Sequence, residues 1–74
     1  MKLNTVNVIE LTDGTIQSVR SFDETPEGNK EAEALFTSCA EENGFDEDEV
    51  AIGLDEGTLE GVDGSYALFI VHST

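Results

Sequence analysis

The residue pattern predicts an α+β fold: a small, antiparallel-rich sheet of three to four strands, with helices packed on one face. Three observations carry it. Two runs rich in β-branched residues meet at an Asp-Gly pair, an apolar stripe at helical spacing follows, and the chain closes on the apolar run 66–71. Strands first and last with helices between them, in 74 residues, fit one small domain over 1–74.

Residues 3–11 are rich in β-branched residues and read as a strand; residues 15–22 read as a second. Asp13-Gly14 between them is a hairpin signal, because a type I′ turn needs positive φ at both central residues. That turn sets Leu11 opposite Ile16, Val8 opposite Val19 and Thr5 opposite Phe22. One face then collects Leu3, Ile9, Leu11, Ile16 and Phe22, and the other Val6, Val8 and Val19. A three-residue loop with a Gly bulge would shift the partners by one.

Thr25 can cap a helix, and Pro26 suits its first position, where no N–H is needed. Ala32, Leu35, Phe36, Cys39 and Ala40 recur at helical spacing, which predicts a helix over 26–43. Gly44 should end it in the left-handed conformation, with Phe45 folding back on Ala40. Asp46 and Glu49 have capping-box spacing for a second helix over 47–56, with Val50, Ala51 and Leu54 as its apolar side. Thr58-Leu59-Glu60 suits a short strand and Val62-Asp63-Gly64 a turn. The last strand, 65–72, is apolar on both faces: Tyr66, Leu68 and Ile70 on one, Ala67, Phe69 and Val71 on the other. A right-handed crossover from the second strand returns the last strand beside the first, which becomes central.

The formal net charge is -14, and residues 23–63 carry all of it: 15 acids against Lys30. Such a charge argues against direct contact with nucleic-acid backbone. No apolar run approaches the ~18 residues of a membrane helix, and the first residues lack the apolar stretch of a secretion signal, so a cytoplasmic setting is expected. A single cysteine excludes an internal disulfide and a zinc-finger framework. Asp46 to Glu49 resembles the start of a calcium loop, but Val50 and Ala51 stand where that loop needs a ligand and a glycine. Cys39 lies on the helical stripe as a small hydrophobe. His72 and Ser73 are adjacent on one terminal strand and do not converge as a catalytic pair would. No phosphate loop or dinucleotide motif is present, so the sequence points to no enzyme, cofactor, metal or small-molecule substrate.

What remains is an interaction protein. One helix stripe covers one sheet face, and the other face would be an apolar patch for a homodimer or a protein partner. Val6, Val8, Val19, Phe69 and Val71 are the candidates for it. Alternatively the short helix folds under and seals that face. An acidic face of Glu27, Glu31, Glu41, Glu42, Asp46, Glu47 and Asp48 supports a second reading, a decoy that mimics nucleic-acid phosphates and occupies a nucleic-acid-binding protein. A salt-adapted surface of no defined activity is the third.

Like charges four apart on one helix, such as Glu27 and Glu31, repel by a few tenths of a kcal/mol. The melting temperature should therefore rise from low salt to about 1 M, where the screening length is ~3 Å. A flat thermal scan across that range would show that self-repulsion is negligible.

Overall fold

A computed structural model of the chain describes residues 4–61 and 64–73. The hairpin strands are β1 (Thr5–Thr12) and β2 (Thr15–Asp23); α1 (Pro26–Glu42) and α2 (Glu47–Glu56) follow. A three-residue strand, β3 (Thr58–Glu60), precedes the last strand, β4 (Tyr66–Ser73). The sheet order is β2-β1-β4-β3, and every neighbouring pair is antiparallel. The fold is α+β, with β1 central between β2 and β4. Leu3 and the turn residues Val62 and Asp63 lie outside the described residues.

The hairpin turn forms as its residues require. Asp13 and Gly14 both have positive φ, 52° and 79°, and Leu11 stands opposite Ile16. The register then slips between Glu10 and Leu11: Glu10 pairs with Ser18, leaving Gln17 as the extra residue of a β-bulge. Val19 therefore faces Ile9 instead of Val8, and Phe22 faces Val6 instead of Thr5. Because side chains alternate along a strand, that one-residue slip exchanges faces. Val19 joins Ile9, Leu11 and Ile16, while Phe22 joins Val6 and Val8. This corrects the grouping of Val19 with Val6 and Val8.

Both helices begin and end on local chemistry. The Thr25 hydroxyl accepts from the Gly28 N–H at 3.0 Å, and Pro26 opens α1. At the other end, Phe45 N–H donates to Ala40 C=O and Gly44 N–H to Glu41 C=O, each at 3.1 Å, with Gly44 at φ 87°. These are the two bonds of a Schellman end. In α2, Asp46 and Glu49 form the full capping box: Glu49 N–H donates to Asp46 Oδ1 at 2.9 Å, and Asp46 N–H to Glu49 Oε1 at 3.1 Å.

The core lies between one face of the sheet and the helices. Val6, Val8, Leu59 and Leu68 from the strands meet Ala32, Phe36 and Ala40 from α1 and Val50 from α2 in one cluster. Helix α1 packs across β1, β2 and β4, and α2 packs on β3 and on α1. Val50 and Gly53, the buried residues of α2, thus belong to the same layer as α1. The short helix does not fold under the sheet. Val6 and Val8, 0% and 2% exposed, lie beneath the helices and are unavailable to a partner. In the β1–β4 register Val6 pairs with His72 and Val8 with Ile70, so both valines lie on the opposite face from Phe69 and Val71.

Two glycines mark close approaches. A side chain at Gly28 would collide with the backbone carbonyl of Asp23, where α1 leaves the hairpin, and one at Gly53 with the side chain of Leu59. Gly44 has nothing within 4 Å of such a side chain, so its requirement is conformational alone. Gly44→Ala should cost about 1 kcal/mol, the strain of a left-handed residue with a Cβ. Gly28→Ala should cost clearly more, because a backbone carbonyl cannot rotate away. Urea denaturation of the two variants checks this order; equal losses would contradict the tight contact at Asp23.

Candidate functional site

Register assigns each strand residue to a face. The face turned from the helices carries Ile9 and Leu11 of β1, Ile16 and Val19 of β2, and Ala67, Phe69 and Val71 of β4. Ile9 sits between Val19 and Phe69, and Leu11 between Ile16 and Ala67, so the apolar residues form contiguous cross-strand rows. Ile16, Val19 and Val71 remain 59%, 51% and 44% exposed, and Ile9, Leu11, Ala67 and Phe69 are half-buried by one another. Of the five sheet residues singled out in the sequence, Val19, Phe69 and Val71 lie on this open face and Val6 and Val8 do not. Ile9, Leu11, Ile16 and Ala67 complete it.

The open face changes character along its length. Near the start of β1, the Ser21 hydroxyl donates to Asn7 Oδ1 at 2.6 Å, and Asn7 Nδ2 reaches Thr5 Oγ1 and the Val71 carbonyl at 3.4 Å. Its carboxylates are Asp23 and Glu60, at the ends of the edge strands β2 and β3. Between these rims the surface is apolar and uncharged.

The acids lie elsewhere. Glu27, Glu31, Glu41, Glu42, Asp46, Glu47 and Asp48 are all exposed on the helices or the turn between them. The molecule is therefore two-sided, with an acidic helical layer on one side and a neutral sheet on the other.

Two pairs of polar side chains on the helix-covered face stand out among the described residues. The Tyr66 hydroxyl donates to Glu10 Oε2 at 2.7 Å, under the end of α1 that carries Cys39. Burial pushes the Tyr66 phenol above its usual range, and its hydrogen bond to Glu10 and the charge of Glu10 push the same way. Burial also raises the Cys39 thiol, with Glu10 and Glu42 adding to the effect. That environment disfavours the reactive thiolate. At the far end of β4, His72 Nδ1 contacts Glu24 Oε1 at 2.6 Å, fastening the strand to the β2–α1 connector. His72 and Tyr66 stand six residues apart, about 20 Å along the strand, so they share no site. Among the described residues, no group of three or more His, Cys, Asp or Glu is placed to hold a metal ion. No helix among them is long and apolar enough to cross a membrane. The Glu10–Tyr66 pair had no local signature in the sequence, because its partners are 56 positions apart.

No family model, curated protein or solved structure matches this chain.

Raised thiol and phenol values mean that the fold favours the neutral forms. The stability they contribute is complete below the unfolded-state values, ~8.5 for a thiol and ~10 for a phenol, and is lost as pH rises beyond them. Tyr66→Phe should flatten the fall in stability above pH ~10, while losing about 1 kcal/mol at neutral pH with its hydrogen bond. Urea midpoints across alkaline pH check this; an unchanged slope would remove Tyr66 from the alkaline response.

Proposed function

We propose that this chain is a non-enzymatic interaction protein that pairs with a second copy of itself through the open sheet face. The contiguous uncharged surface of Ile9, Leu11, Ile16, Val19, Ala67, Phe69 and Val71 carries the reading. Seven neighbouring residues on three strands make a patch on the order of a few hundred Å², the size of a single functional patch.

Charge supports a second copy as the occupant. Two chains at -14 each repel, and the sheet face is where they meet with least charge between them. Sheets pack ~10 Å apart and each helical layer stands about 10 Å behind its sheet, which puts the two acidic layers roughly 30 Å apart. At physiological ionic strength the screening length is ~8 Å, so the repulsion is largely removed. A two-fold arrangement would stack the sheets face to face at about -30° and leave the helices outward. An interface of this area belongs with weak complexes, below ~1200 Å² in total, so self-association in the micromolar range follows. Cys39, kept as a free thiol among core residues, fits a cytoplasmic setting.

The acidic helices support the decoy reading, in which a basic protein meets that layer instead. Salt separates the two, because contacts through the acids weaken steeply as it rises and contacts through the sheet do not. Sedimentation over a concentration series should show a monomer–dimer equilibrium that persists or strengthens in high salt. Val19→Lys should shift it to monomer although it reduces the repulsion between copies, because it places a charge in the apolar surface. A strict monomer at every concentration, or a dimer indifferent to Val19→Lys, would overturn the proposal.

A further inference from the structure

At the sheet edge farthest from the hairpin, β3 is only three residues long and leaves space beside α2. A hollow of about 360 Å³ opens there, with Phe45, Gly53 and Leu59 in its apolar lining and Ile52 on its wall. Ile52 is 59% exposed, the largest exposure together with Ile16 among the big apolar side chains. Gly53 lies flush against Leu59, so the depth of the hollow depends on its missing side chain. A second hollow of about 470 Å³ shares Phe45 and Glu49 with the first and runs on to Tyr66. The two form one groove along the turn between α1 and α2.

Three carboxylates rim the first hollow, Glu49, Glu56 and Glu60, and none of the residues lining either hollow is basic. The capping box holds Glu49 in place through its bond from Asp46 N–H, so this rim charge is pre-positioned. Thr58 lines the same hollow, and its hydroxyl oxygen is buried with no hydrogen-bond partner.

We propose that this groove docks a short segment of a partner protein in which one large apolar side chain is flanked by lysine or arginine. The apolar side chain covers Ile52 and rests on Phe45 and Leu59. The flanking cations meet Glu56 and Glu60. Charge complementarity selects the partner class: an acidic or neutral segment would bring its own desolvation cost to a rim of like charge. The groove adjoins the open face at β3, where Glu60 and Thr58 stand opposite Ala67 and Phe69, while Phe45, Ile52 and Glu56 lie outside the apolar rows.

The test is a titration of isotope-labelled protein, followed by amide shifts, with an amidated lysine pentapeptide carrying a central leucine. Shifts should concentrate on residues 45–60 and saturate. The same peptide with serine for leucine should bind about fivefold more weakly, the value of one modest apolar contact. The Glu56→Gln/Glu60→Gln double variant should also lose about fivefold, the sum of two exposed ion pairs. Both glutamates are exposed, so the variant keeps its fold. Shifts spread evenly over both helices, with the leucine-free peptide binding as well, would overturn the proposal in favour of diffuse charge attraction. Shifts confined to Ile16, Val19 and Val71 would overturn it by assigning the peptide to the open face.

Discussion

The sheet is apolar on both faces, and one layer of helices covers only one of them. The rest of the molecule follows from that constraint. Val6, Val8 and Leu68 are buried because Ala32, Phe36 and Ala40 of α1 lie over them, and α2 extends the same layer through Val50 against Leu59. Eight buried apolar residues among the described ones are a small core for a chain that must offset the entropy of ordering its backbone. Phe36 alone, truncated to alanine, would remove about 3–5 kcal/mol from a total that for such domains is ~5–15. The sheet's further burial is available on the open face, where Ile9, Leu11 and Phe69 are half covered by their own neighbours. A second copy would complete there what the helices complete on the other side.

Charge is distributed to suit this division. The acids lie on the connectors, the helices and the short edge strand, while the hairpin and β4 are close to neutral. The helical layer thus discourages contact between helical layers. The sheet stays available for contact without opposing charge. Self-repulsion within the helices lowers stability without altering which face is covered.

Local chemistry was legible in the sequence and long-range geometry was not. Thr25-Pro26, Asn43-Gly44 and Asp46 with Glu49 start and stop the helices within a residue of where their spacing put them, because caps depend on neighbours in the chain. The Asp13-Gly14 turn and the central place of β1 were equally readable. The bulge at Gln17 was not, since an exposed polar residue in a strand looks the same whether it is paired or extra. It carried Val19 to the open face, while the pairing of Val6 with His72 and Val8 with Ile70 set those two valines on the opposite face from Phe69 and Val71, under the helices. Nothing local to Gly28 or Gly53 marks a close approach. Their roles depend on Asp23 and on Leu59, which only the folded chain brings against them.

The most direct measurement is an isotope-filtered NOE experiment on a mixture of labelled and unlabelled protein at millimolar concentration. It reports contacts between copies and ignores those within one. The account predicts intermolecular contacts among Ile9, Ile16, Val19, Phe69 and Val71, and none to Val6 or Val8. Intermolecular contacts from the helices, or none at all, would contradict it.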